Sequence, residues 1–313
     1  MKKGGVTESR AMAPLPLFDS PLLDPANNTH ALARYPFFQL ERNSSRRSLT
    51  FVDGDCTFTC KAVEGTNLPT IFDRDWLLYA ISIIISKMDR GEEPSRTVMV
   101  SAHDFHRVTN RDSSSRSYSN MAAQIERLRG ALVKTNIETG GQGATGFFNW
   151  LDTGTQINYD RENGQRRMVS VTLVLCDWLF RAIKLDAQNY RLPPDYFNLS
   201  PIDRRLYDLA RANATPTWET SLGELQKYVG SDGHARNFKQ AVSAASIPGY
   251  AVTLTDRYIQ QEGRRGRPSS EHQIVVITQE SHKKALTAQK PKAPALRRRK
   301  AARGHEGEVG TLL

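Results

Sequence analysis

The chain predicts an α+β fold built from two tandem winged-helix domains. Three observations predict it. From Ser221 to Thr278 the residues read helix, turn, helix, strand, basic loop, strand, and the loop is Gly263-Arg264-Arg265-Gly266-Arg267-Pro268. An upstream stretch reads in the same way, as helix, helix, helix, hairpin. The formal net charge is +10 and the pI about 9.6, which points to a polyanionic partner.

The totals fit that class. A chain of 313 residues has room for two ordinary domains, and 39% hydrophobic residues with four Trp and twelve Phe support folded cores. The charge is uneven. Between Glu280 and Leu313 lie nine Lys or Arg and three Glu, so most of the excess belongs to the tail. Three cysteines, Cys56, Cys60 and Cys176, argue against a disulfide scaffold and fit a reducing cytoplasm. The N-terminus, MKKGGVTESR, lacks an apolar signal core. The longest apolar run, Trp76 to Ile85 around Ser82, is too short for a bilayer, which needs about 20 residues. A cytoplasmic protein without a membrane partner is expected.

The elements follow in order. Residues 1 to 33 hold scattered Pro, Asn and Ser and read as a flexible arm. Arg46 to Val63 reads as a hairpin around Asp53-Gly54. Asp73 to Met88 reads as a helix opened by acidic residues, with Trp76, Leu77, Ala80, Ile81 and Ile84 on its apolar face. Ser101 caps a short helix ending near Val108. Ser117 opens a longer one to about Lys134, in which Met121, Ile125, Leu128 and Leu132 share a face. Its outward arc carries Ser119, Ala123 and Gly130, flanked by Arg116, Asn120 and Arg127. Strands follow at Phe147 to Trp150, Thr155 to Tyr159 and Arg166 to Leu175, the last pair turned by Asn163-Gly164. Asp177 to Lys184 is a short helix.

Leu192-Pro193-Pro194 marks a domain boundary. The expected domains are therefore residues 34–190 and 191–280, with a disordered basic tail over 281–313. Ser200-Pro201 starts a helix with Asp203 three residues after the cap and Ile202, Leu206, Leu209 and Ala210 as its buried stripe. Ser221 caps the next, with Leu222, Leu225 and Val229 inward. Gly230-Ser231-Asp232-Gly233 is the turn, and His234 to Ser246 is the candidate recognition helix. Phe238, Val242 and Ala245 form its core stripe. At about 100° per residue, Arg236, Gln240 and Ser243 point away, with Lys239 at the edge. Arg pairs with guanine and Gln with adenine in a major groove. Pro248-Gly249 ends the helix. Tyr250 to Tyr258 and Gln273 to Thr278 are the wing strands, and Arg264, Arg265 and Arg267 lie in the loop between them. Arg265-Gly266-Arg267-Pro268 matches the core of the AT-hook, a minor-groove motif; phosphate contact serves the loop equally well.

Other chemistries lack their residues. His103 and His106 are one position too far apart for a nickase metal pair and read as one exposed and one buried side chain. Cys56 and Cys60 lack two further zinc ligands nearby and read as small half-buried hydrophobes. Gly140-Gly141-Gln142-Gly143 lacks the Lys-Ser/Thr of a phosphate loop and reads as a flexible loop or wing tip. No enzyme, cofactor, metal or small-molecule substrate is expected.

Several blocks resemble the RepA-type plasmid replication initiator family. They are YPFFQLERNSSRR from Tyr35, TIFDRDWLLYAIS from Thr70, PSRTVMVSAHDFHRVTNR from Pro94, RLRGALVKTNIETGG from Arg127, DWLFRAI from Asp177, LPPDYFNLSPIDRRLYDLARAN from Leu192 and IPGY from Ile247. The resemblance implies a bacterial initiator that binds directly repeated duplex sites at an origin, helps open them, recruits a host initiator and helicase, and forms homodimers that repress its own gene. By position it makes the helix after Ser117 the first domain's groove helix, with Arg116, Ser119, Asn120 and Arg127 as contacts. The chain departs from the family pattern at Arg211-Ala212-Asn213-Ala214 and at Lys227-Tyr228-Val229-Gly230-Ser231, so the contacts of the second helix rest on helical geometry. The alternative is a winged-helix transcriptional repressor without a replication role.

Overall fold

The computed structural model of the protein describes residues 25–41, 45–111, 114–142, 145–162, 165–186, 188–256 and 273–282. Part of the expected flexible arm proves to be built in. Asn27–Thr29 (β1) pairs antiparallel with Asn189–Arg191 (β9), and Thr29 caps His30–Arg34 (α1) by accepting from the Leu32 amide at 3.2 Å. Leu32 and Ala33 are fully buried. The helix spans five residues, too few for a periodic signal. Its polar neighbours are paired instead, Asn28 donating to the Tyr190 hydroxyl at 3.0 Å.

The hairpin forms as expected. Ser48–Asp53 (β2) and Cys56–Ala62 (β3) pair with Asp53 opposite Cys56, and Gly54 takes the positive φ of 56° that the turn requires. Ala131–Thr135 (β5) and Gly146–Asn149 (β6) complete a sheet of order β2-β3-β5-β6. Leu49, Phe51, Phe58, Cys60 and Val133 alternate inward.

Two further segments share one topology. The first runs Arg74–Asp89 (α2), Thr97–Ser101 (β4), Ala102–Val108 (α3), Ser115–Gly130 (α4), Gln156–Glu162 (β7) and Gln165–Val174 (β8), with strand order β4-β8-β7. β5 and β6 are inserted between α4 and the hairpin, and Asp177–Lys184 (α5) follows it. The second copy runs Pro201–Asn213 (α6), Thr217–Ser221 (β10), Leu222–Val229 (α7), Ala235–Ser243 (α8), Tyr250–Asp256 (β11) and Gln273–Gln279 (β12), with order β10-β12-β11. The named sheets are all antiparallel, and the architecture is mixed α+β.

Several boundaries move. The helix expected from Ser117 to Lys134 starts at Ser115, capped by Ser114, and stops at Gly130. A Cβ at Gly130 would lie 2.8 Å from the Val63 side chain, and the Gly130 carbonyl accepts from the Val63 amide at 2.9 Å. The chain turns there to lay Ala131, Val133 and Thr135 inward along β3. Leu132, expected on the helical face, is thus an exposed strand residue. The candidate recognition helix is shorter than expected, with His234 as its cap. The Asn163-Gly164 turn lies outside the described residues, between the paired Glu162 and Gln165.

Candidate nucleic-acid interface

α8 is set by the turn before it. Gly230 ends α7 at φ +78°, in the left-handed region, and a Cβ there would meet Pro36 at 2.8 Å. Gln226 donates to the Gly233 carbonyl at 2.6 Å, closing the turn. His234 Nδ1 accepts from the Arg236 amide at 3.2 Å. Phe238 and Val242 are buried; Arg236, Gln240 and Ser243 are exposed, and Lys239 is half-buried. The outward face is the expected one.

α4 occupies the same place in the first copy. Met121, Ile125 and Leu128 are buried beneath it, and Arg116, Ser119 and Asn120 are exposed. An open cleft of about 690 Å³ runs beside it, lined by Thr70, Asp73, Arg111, Asn120, Gln124 and Arg127. Arg127 is the exception among the expected contacts. Its Nε and Nη2 donate to Asp73 at 2.7 and 2.8 Å. These hydrogen bonds raise the arginine's pKa despite partial burial. Asp73, expected as a helix-opening acid, also accepts from the Thr70 amide at 2.8 Å. No local pattern signals this pair, whose members are 54 positions apart.

Arg264, Arg265 and Arg267 lie outside the described residues, as do Lys290 to Arg303 of the tail. The strands that bracket the wing loop pair as far as Asp256 and Gln273.

The residues weighed for other chemistry have structural roles. His106 is buried, with its ring between Met121 Sδ at 2.8 Å and Ser117 Oγ at 3.3 Å, while His103 is exposed. Burial pushes the thiols of Cys60 and Cys176 up to about 12, away from thiolate chemistry. The Gly140 amide donates to Asp186 at 2.6 Å, which ties this loop to the residues that follow α5. Among the described residues no three His, Cys, Asp or Glu side chains converge as metal ligands, and no helix is long and apolar enough to cross a membrane.

A chain of polar contacts, most of them buried, joins α4 to α7, the helix that leads into α8. Trp76 on α2 donates to Gln124 on α4 at 3.0 Å. Asp75 accepts from Arg111 at 2.6 Å and from Arg204 on α6 at 3.0 Å. Arg74 donates to Asp208 on α6 at 2.6 Å, and the Tyr196 hydroxyl donates to the same carboxylate at 3.0 Å. Arg205 on α6 then donates to the Ala33 carbonyl of α1 at 2.7 Å and the Tyr228 carbonyl of α7 at 2.9 Å. The expected boundary at Leu192-Pro193-Pro194 separates segments of sequence that pack intimately.

Comparison with known proteins places this geometry. The chain is 25% identical over 227 residues to a putative replication protein of Wigglesworthia glossinidia brevipalpis, covering 70% of this chain and 81% of that protein. Its fold is similar to two crystal structures of domains 2 and 3 of RctB. One has a TM-score of 0.56 at 14% identity, covering 80% of this chain and 98% of the other. The second has a TM-score of 0.52 at 13% identity, covering 80% and 97%. Residues 27–252 match the model of the family described as Replication initiator protein A, and the chain belongs to that family.

Proposed function

We propose that the protein is a plasmid replication initiator that binds repeated duplex DNA sites at an origin, promotes their opening and recruits host replication proteins, without itself being an enzyme. One observation carries the reading. α4 and α8 sit at equivalent places in two copies of one topology, and each leaves a polar face exposed. In winged-helix modules that place belongs to the groove helix. Family membership and the likeness of fold support the same assignment.

In this reading Arg236, Lys239, Gln240 and Ser243 meet base edges or phosphates in one major groove. Arg116, Ser119 and Asn120 meet those in another, one helical turn or about 34–36 Å along the duplex. Arg127 keeps a place at the edge of that contact, its charge balanced by Asp73. Arg264, Arg265 and Arg267 reach from the wing, and the basic tail adds sequence-independent attraction. The protein works in the bacterial cytoplasm, and homodimers serve repression of its own gene.

The experiment is maintenance of a plasmid carrying the gene and its flanking DNA, with and without Arg236→Ala plus Gln240→Ala. The proposal expects loss of maintenance with the folded protein still present. Maintenance unchanged by the double substitution would overturn it.

A further inference from the structure

Arg205 is an expensive residue where it stands. It is 2% exposed, its Nε has no hydrogen-bond partner, and burial lowers its pKa to about 10. A leucine or methionine would fill such a site at lower cost. What the guanidinium supplies is direction. Its two outer nitrogens reach the carbonyls of Ala33 and Tyr228, each in the last turn of its helix, where carbonyls lack intrahelical donors. One planar fork on α6 thus grips the ends of both α1 and α7.

The same end of α7 is held from a second side. The Tyr228 hydroxyl donates to Asp53 on the β2–β3 hairpin at 2.8 Å, and the Lys227 ammonium lies 5.4 Å from the Phe51 ring. Arg46 pairs with Asp232 in the turn, and Gly230 packs against Pro36. The segment leading into α8 is therefore held to the β2–β3 hairpin and the chain before it, outside its own copy of the topology. On the other side, α4 is fixed to α2 through Gln124 and Asp73, and α2 to α6 through Asp75 and Asp208.

We propose that Arg205, with the Arg74–Asp208 pair and the Tyr228–Asp53 hydrogen bond, fixes α8 against α4, so that the protein acts as a rigid gauge accepting one spacing between its two contacts on a DNA repeat. Arg205 is a positioning residue and touches no DNA. The inference rests on the two-groove reading above. A single inserted base pair rotates one contact by roughly 35° and shifts it by about 3.4 Å. A rigid pair of helices cannot follow that change; a loosened pair can.

The test uses the full chain and duplexes carrying one repeat from the DNA beside its gene, with zero or one base pair inserted between the two protected grooves. The wild type is expected to lose affinity about ten-fold or more on insertion, which is roughly 1.4 kcal/mol. Arg205→Lys, whose ammonium is a point donor and not a fork, should lose clearly less. Tyr228→Phe, which deletes one hydroxyl and leaves the core filled, should shift in the same direction and guards against a misfolded Arg205 variant. Equal insertion penalties for wild type and Tyr228→Phe, or for wild type and a folded Arg205→Lys, would overturn the gauge. Absence of specific binding by the wild type to the unmodified repeat would instead overturn the two-groove reading, and the gauge with it.

Discussion

The guanidinium of Arg74 lies 2.6 Å from the carboxylate of Asp208, and both side chains are 1% exposed or less. Burial opposes the charge on Arg74, and Asp208 beside it more than restores it. The pair joins α2 of the first unit to α6 of the second. Removing Arg74 takes the nearest cation from the buried Asp208 carboxylate and leaves Arg205 at 3.7 Å as its remaining charged neighbour. Arg74→Met should therefore cost about 3–5 kcal/mol, while Arg74→Met with Asp208→Leu should cost less. Urea denaturation followed by circular dichroism measures both. A double variant as unstable as the single one would contradict this account of the pair.

Arg236 and Arg127 should separate stability from recognition. Arg236→Ala should weaken binding to the specific repeat by about 1–3 kcal/mol and relax selection at one base position. Its melting temperature should not change, because the side chain is exposed. Fluorescence anisotropy with single-base-substituted duplexes reads the effect. Equal losses on specific and random DNA would remove base reading from this residue.

Arg127→Ala should lower stability as well as affinity. It leaves Asp73, 1% exposed, without its bidentate partner. The arginine itself is 27% exposed, so the cost should be about 1–3 kcal/mol, below that of a fully buried pair. A melting temperature equal to that of the wild type would mean that the Asp73 pair contributes nothing.

The thiols offer a check on the fold. With Cys60 and Cys176 raised to about 12, only about one molecule in 10⁴ carries either thiolate at pH 8. Iodoacetamide at that pH should label the native protein at Cys56 alone and the urea-unfolded protein at all three positions. Mass spectrometry counts the labels. The protection should weaken as pH rises toward 12, and rapid native labelling of Cys60 at pH 8 would contradict its burial.

What could be read from the residues alone was local. The Ser200-Pro201 start of α6, the Ser221 cap of α7, the Asp53-Gly54 turn and the outward face of α8 each depend on neighbours within a few positions. The strands β4 and β10, five residues each, are too short to stand out in sequence from the helices they precede. β5 was absorbed into α4 because Leu132 happened to continue a helical spacing. The polar core was hidden for another reason. Arg74 and Asp208 are 134 positions apart, and Arg205 and Ala33 are 172. Arg204 and Arg205 of α6 are each 2% exposed and Asp208 is fully buried, and nothing in their immediate neighbours signals that burial.

The basic tail should act through salt. Seven Lys or Arg follow Thr287. Removing residues 288–313 should flatten the dependence of log affinity on log salt, each lost phosphate contact lowering the slope by about 0.9, while sequence preference is kept. Titrations at several salt concentrations measure this, and an unchanged slope would exclude the tail from DNA contact.

The central claim is that two groove helices read one repeated duplex site. Hydroxyl-radical footprinting of the full-length protein on the DNA flanking its gene tests it most directly. The account predicts several direct repeats, each protected over two patches about 10 base pairs apart on successive major grooves. A single palindromic footprint, as a repressor would leave, or one protected patch per site, would contradict it.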